Sequence, residues 1–296
     1  KLRITAGLRM DYMRYDYDNN LSVENTGSHR RPESTTVDYN HLSPKLGMSY
    51  LFNDTINGFI AYRHAFRVPS QNQLFRQGRA ENTVDLEPVK ADNIETGIRG
   101  KFPHMLNYEL SVYYLTKRDD ILTYQHPDRT RETMNAGKTL HRGVELGLHT
   151  PTNKPLSFSV SYSYAKHTYE DWKPSDTVDY SGNEMSSAPR EIANTRLHYR
   201  PKLLQSANLE LEWVRLGSYW MDDANTHKYP GHDVLNLRGN LALNKTFQLF
   251  ARLMNITDER YATSSAYKAP AFGNPEQFEY APGMPRTLYA GIRAQF

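Results

Sequence analysis

Arginines and ring side chains recur in the long polar stretches of this chain. Arg67, Arg76, Arg79, Arg129 and Arg131 lie there, with Tyr124, Trp172, Tyr180, Trp220 and Tyr229. A guanidinium offers a rigid fork of donors to anionic oxygens. An aromatic face stacks on rings and attracts cations. Together they suit the capture of an anionic, ring-bearing molecule. The same residue types also serve as solvated loop charges and as girdle aromatics. Catalytic residues are not expected: Ser, His and Asp are plentiful, but no Gly-x-Ser-x-Gly nucleophile motif occurs. There is no cysteine, hence no disulfide framework and no thiolate metal site. His126, His167, His227 and His232, with Met221, would permit capture of a metal such as copper. Their spacing does not make them converge, so no metal site and no cofactor is assigned.

These residues need a scaffold, and the scaffold is written in period two. In the last stretch, Leu288, Ala290, Ile292, Ala294 and Phe296 share one parity, and Thr287, Gly291, Arg293 and Gln295 the other. Such alternation marks a strand with one apolar and one polar face. The first stretch behaves alike: Leu2, Ile4, Ala6, Leu8, Met10 and Tyr12 alternate with Lys1, Arg3, Thr5, Gly7, Arg9 and Asp11. About twelve such strands can be counted. Their connections alternate in length. Short links fall at Asn53, Pro103, Pro151, Pro201 and Asn244, and long ones near 20–38, 70–90, 123–134, 170–188, 221–231 and 263–283.

A soluble sandwich has no reason to gather every long loop at one end, whereas a transmembrane barrel does. The expected fold is all-β, an antiparallel transmembrane barrel occupying 1–296. Leu110, Val112, Leu146, Leu148, Val160, Leu237, Leu249 and Ile292 are expected to face lipid. Glu95, Arg99, Glu109, Glu145, Arg196, Glu210, Glu212, Arg238, Arg252 and Arg293 are expected on a wet lumen wall, paired across strands. Mean hydropathy of −0.74, with no apolar run approaching the ~18 residues a spanning helix needs, excludes a helical membrane protein but not a barrel, whose lumen and loops are polar. The 21 tyrosines fit aromatic girdles, and would also fit a carbohydrate-binding β-protein. A net charge of +3 without a basic stripe points to no nucleic-acid partner. Lys1 already lies inside an alternating strand, so a fragment or processed piece is expected.

Several motifs resemble one family. Phe66-Arg67-Val68-Pro69-Ser70 is similar to the Phe-Arg-Ala-Pro-Ser segment of TonB-dependent outer-membrane receptors. Val84-Asp85-Leu86-Glu87-Pro88, leading into Asp92-Asn93-Ile94-Glu95-Thr96-Gly97, resembles their leucine–proline–glutamate segment and the strand after it. Asn135-Ala136-Gly137 with Arg142-Gly143-Val144-Glu145-Leu146 is similar to another of their strands. So are Asn255-Ile256-Thr257-Asp258-Glu259-Arg260-Tyr261 and Pro282-Gly283-Met284-Pro285-Arg286. Their order spans essentially the whole chain.

The resemblance implies a barrel of about 22 strands occluded by an N-terminal plug. This chain shows about twelve strands and no plug, so it is expected to be the C-terminal part of such a barrel. It implies location in the bacterial outer membrane and TonB-driven uptake of a scarce nutrient, usually a ferric siderophore. Implied partners are TonB, through the plug, the ferric-siderophore-type ligand, and outer-membrane lipid with lipopolysaccharide. A stand-alone passive porin or translocator, and uptake of copper or cobalamin, stay open. Haem receptors of this kind carry a histidine that 70–85 lacks here. Segment 67–90 is the favoured recognition loop. In a competing reading its arginines pair with Glu81, Asp85 or Glu87.

Overall fold

The computed structural model describes every residue except 24–30, 76–82, 103–104, 126–130, 153, 205, 271–273 and 296, together with the side chain of Arg131. Its strands are β1 (Leu2–Tyr17), β2 (Thr35–Asn53), β3 (Ile56–Arg67), β4 (Val89–Phe102), β5 (Leu106–Gln125), β6 (Arg131–His149), β7 (Leu156–Asp171) and β8 (Glu191–Tyr199). They continue as β9 (Ala207–Leu216), β10 (Tyr219–Trp220), β11 (Lys228–Tyr229), β12 (His232–Ala242), β13 (Phe247–Met254), β14 (Ala262–Lys268), β15 (Gln277–Pro282) and β16 (Thr287–Ala294). Twelve form one sheet in the order β1 to β9, β12, β13, β16. Every pairing within it is antiparallel. The other four make two separate ribbons, β10–β11 and β14–β15. Among the described residues β1 and β16 do not pair with each other, so the sheet has two edges.

The register turns the alternation of each strand into continuous faces. Phe158, Leu197, Leu211, Leu237, Leu253 and Leu288 are successive partners across neighbouring strands. Leu110 opposes Leu146, Val112 opposes Val144, Leu148 opposes Val160, and Leu249 opposes Ile292. Among the described residues no element covers that face: Leu288 is 68% exposed and Ile292 67%. An apolar surface of this extent is not stable against water.

The opposite face is polar and paired. Arg63 donates to Glu95 at 2.7 Å. Glu212 accepts from Arg196 at 2.9 Å, from Arg238 at 2.6 Å, and from the amides of Asn194 and Asn236. Arg238 also reaches Glu210 at 2.5 Å. These are cross-strand pairs of the kind expected of a lumen wall, whereas Arg99, Glu109, Glu145, Arg252 and Arg293 make no ion pair among the described residues, and Arg99 and Arg252 lie over the Phe59 and Phe250 rings instead.

Short links at one end use side-chain turn chemistry. The Asn53 amide oxygen accepts the Thr55 N–H at 2.9 Å, and that of Asn244 accepts the Thr246 and Phe247 N–H groups. At the other end the strands run further than their alternation shows. The expected loop over 123–134 is largely ladder, since β5 continues to Gln125 and β6 begins at Arg131. There Thr116, Lys117, Arg118, Asp119 and Asp120 are polar on both parities, so the pattern fades while the hydrogen bonds continue. β2 likewise begins at Thr35, inside the expected loop 20–38. The long connections also hold structure of their own: a helical turn α1 (Gln71–Leu74), a 3-10 turn at Thr83–Asp85, and the two ribbons. The last strand ends at Ala294, and Phe296 lies outside the described residues.

Candidate functional site

On the inner face, at the long-loop end, a polar group forms on β5, β6 and β7. Lys117 opposes Thr139, and Thr139 opposes Tyr169. One step down, Leu115 opposes His141, and His141 opposes His167. His141 Nδ1 lies 2.7 Å from His167 Nδ1, and its Nε2 lies 2.9 Å from the Thr139 hydroxyl. After Lys117 the ladder slips in a β-bulge, with Asp119 at φ 58°. The bulge re-aims Asp120, which is mostly buried and sits 2.5 Å from Lys117 Nζ. Arg67, at the top of β3, reaches the same carboxylate at 3.8 Å with its side chain 58% exposed. Two cations thus share one acid, and the more exposed one keeps donors free for an anion.

Loops close over this group. Asp223 accepts from the Tyr169 hydroxyl at 2.9 Å and the Ser186 hydroxyl at 2.6 Å. The segment after β7 returns along its upper edge. Met185 N–H donates to His167 O at 2.9 Å, and Tyr169 N–H to Asn183 O at 2.9 Å. Arg190 Nε donates to Glu184 at 2.7 Å, and that bond holds the Glu184 carboxyl below its usual range. Burial, with Asp223 and Asp222 nearby, raises the Tyr180 phenol.

The segment 67–90 is held down by a small core. Tyr39, Leu74 and Leu86 are buried together, with Tyr15, Val37, Val68, Phe75 and Ile121 packed around them. The Tyr39 hydroxyl donates to Leu86 O at 2.7 Å and the Tyr15 hydroxyl to Pro69 O at 3.2 Å. Within this segment Arg67 meets Asp120 on the wall, and Arg76 and Arg79 lie outside the described residues. So do Arg129 and His126, and the side chain of Arg131.

The remaining expected residues are distributed along the rim. Tyr124 donates to Asp176. Trp172 packs its ring 4.8 Å from that of Tyr169, above Gly137, where a Cβ would collide with it. Lys228 stands 5.2 Å over the Trp220 ring. Tyr229 is buried with Tyr219, Met221 and Ala262 in a core joining β10–β11 to β14–β15, so it holds the cap together. His232 bonds the Tyr229 hydroxyl at 2.9 Å, and His227 stacks on Tyr267 at 3.6 Å. Among the described residues no three His, Cys, Asp or Glu side chains gather to hold a metal ion. The residues that sequence reasoning missed are Lys117, Asp120, Thr139, His141, Tyr169 and Asp223. For Lys117, Thr139, His141 and Tyr169 the only advance signal was inward parity on strands whose upper extent was hidden, for Asp120, of the other parity, there was none, and for Asp223 it was a place in the long connection 221–231.

The family model described as TonB dependent receptor-like, beta-barrel, matches residues 1–256. The chain belongs to the TonB-dependent receptor β-barrel family. Curated relatives of this receptor chain include the ferrioxamine B receptor of Salmonella typhimurium, 26% identical over 282 residues, covering 89% of this chain and 38% of the relative. The ferrioxamine receptor of Yersinia enterocolitica is 25% identical, over 85% of this chain and 34% of the relative. This TonB-dependent receptor chain therefore spans less than two-fifths of the length of those relatives. Among solved structures, the siderophore receptor PiuA from Acinetobacter baumannii superposes with a TM-score of 0.72 at 18% identity, over 99% of this chain and 41% of that one. The copper transporter OprC gives a TM-score of 0.74 at 20% identity, over 100% and 45%. At these identities the superpositions speak for the fold: an open section of a larger antiparallel barrel.

Proposed function

We propose that this chain forms the C-terminal part of the wall of a bacterial outer-membrane receptor that takes up a ferric siderophore, driven by TonB through a plug supplied elsewhere in the whole protein. The uncovered apolar face would meet lipid, and the long-loop end would face outward. The observation that carries the ligand reading is the meeting of Arg67 and Lys117 on Asp120, beneath loops fastened by Asp223. A partly desolvated vestibule strengthens such charges relative to an open surface. The curated ferrioxamine receptors support the broad class, a ferric siderophore, and the cations favour an anionic member of it.

In this reading Arg67, Arg76, Arg79, Tyr124, Arg129, Arg131, Trp172 and Tyr180 supply first contacts, and Trp220 and Tyr229 shape the cap. The test is uptake of radioactive iron, supplied as an anionic ferric tris-catecholate and, for comparison, as uncharged ferric tris-hydroxamate, by cells carrying the full-length receptor. R67A and the R76A/R79A pair should weaken capture and reduce its salt sensitivity without lowering barrel heat-stability. Unchanged affinity with lowered stability would assign the segment a structural role instead.

A further inference from the structure

His141 on β6 and His167 on β7 are direct cross-strand partners on the inner face, beneath the Arg67–Asp120–Lys117 group. Their Nδ1 atoms lie 2.7 Å apart, so one proton is shared between the rings. His141 Nε2 lies 2.9 Å from the Thr139 hydroxyl. Among the described residues His167 Nε2 has no hydrogen-bond partner. His141 is two residues from Thr139, the cross-strand partner of Lys117, which is about 7 Å along the strand. Lys117 and Asp120 both act on His141, with opposite signs. The other charged or titratable groups around the pair are Arg67 from β3, Tyr113 from β5, Glu145 from β6, Tyr169 from β7, and Asp223 from the connection after β10. Asp120 is matched by Lys117 and Arg67, and Asp223 by the Tyr169 and Ser186 hydroxyls. Among the described residues neither ring has a carboxylate within ion-pair distance.

Burial disfavours the charged form of both rings, so the pair is neutral in the free receptor. We propose that His141 and His167 determine specificity for an anionic ferric chelate, by gaining one proton when that ligand settles on Arg67. This rests on the siderophore reading above. The added proton gives both Nε2 atoms an N–H. That of His141 donates to the Thr139 hydroxyl, and that of His167 is open to a ligand oxygen. A second added proton would set N–H against N–H across the 2.7 Å contact, so the pair gains one and no more. A negative ligand close by favours the charged form. By linkage the proton then tightens that ligand by the same factor. An uncharged chelate exerts no such pull.

The test uses the purified full-length receptor in detergent and titration calorimetry in two buffers of different ionisation enthalpy, which counts protons taken up on binding. The probes are anionic ferric tris-catecholate and uncharged ferric tris-hydroxamate. At pH 6 wild type should take up about half a proton or more with the tris-catecholate and none with the tris-hydroxamate. H141Q/H167Q should take up none with either. From pH 8 to pH 6 the affinity of wild type for the tris-catecholate, relative to that of H141Q/H167Q, should rise about threefold or more. The ratio to the variant removes the titration of the chelate itself. H167R, a fixed cation, should bind the tris-catecholate without proton uptake. If H141Q/H167Q does not fold, H167Q alone is read in the same way. Equal proton uptake by wild type and variant, or with the two chelates, would overturn the proposal. Capture of the tris-hydroxamate alone would do so too. Capture of the tris-catecholate by wild type without proton uptake would overturn the role of the pair and leave the siderophore reading standing. A wild type that binds neither chelate would remove both.

Discussion

Glu212 on β9 and Arg238 on β12 share a 2.6 Å hydrogen-bonded ion pair across the inner face of the wall. Glu212 is 5% exposed in its side chain and is the hub of the network, with Arg196, Asn194 and Asn236 also donating to it. Losing one partner of a buried pair leaves the others uncompensated.

Replacing Glu212 by alanine should therefore destabilise the sheet. The expected loss is about 3 kcal/mol, the low end for a buried pair, because Arg196 remains about half exposed and can be rehydrated. E212Q, which keeps an acceptor for the two asparagines, should lose less. Urea midpoints in detergent for both variants check this, and a midpoint for E212A at the wild-type value would refute it.

The apolar rows predict a positional penalty. An arginine at Leu146, which sits between Leu110 and Tyr162 on the outer face, should cost roughly 2–4 kcal/mol in a bilayer. The same change at Ser161, on the inner face, should cost far less. Folding titrations into lipid vesicles measure the difference.

Leu74 is fully buried, and it fastens segment 67–90 to Tyr39 and Leu86. Truncation to alanine should cost about 2–5 kcal/mol locally. Hydrogen exchange should quicken across Gln71–Leu74 while β4 and β5 stay protected. Uniform loss of protection would mean that this core supports the wall as well.

Acid should loosen the cap. Burial opposes ionisation of Asp222. The N–H groups of Thr226 and His227 and the Thr226 hydroxyl outweigh it, and its carboxyl titrates below the usual value. The stabilisation is thus complete above the ordinary carboxylate pKa of about 3.8 and is lost as pH falls through the lower folded value. Amide exchange at Thr226 and His227, corrected for its intrinsic pH dependence, should stay protected at pH 5 and lose protection only as pH falls below 3.8 through the lower folded value. In D222N the protection should be low at both.

The period-two pattern was enough to specify twelve wall strands, their two faces and the short turns, because a strand exposes alternate side chains whatever its surroundings. Leu237 and Glu212 could be assigned to opposite faces from local sequence alone. The motif Phe66–Ser70 was likewise legible, as was a rim rich in arginine and rings. The ends of the strands were not legible, because above the apolar rows both parities are polar while the ladder continues. Nor was the meeting of Arg67, Lys117 and Asp120, which depends on the bulge at Asp119 and on the register of three strands. His141 and His167 lie 26 residues apart in sequence, and nothing local makes them partners. Their contact is set by how far β6 and β7 slide before Val144 meets Tyr164. Tyr229 shows the same limit: its type fits a ligand ring, and only the packing of two ribbons places it in a core. Composition and alternation act residue by residue, whereas register, bulges and loop docking are settled by the summed contacts of the whole sheet.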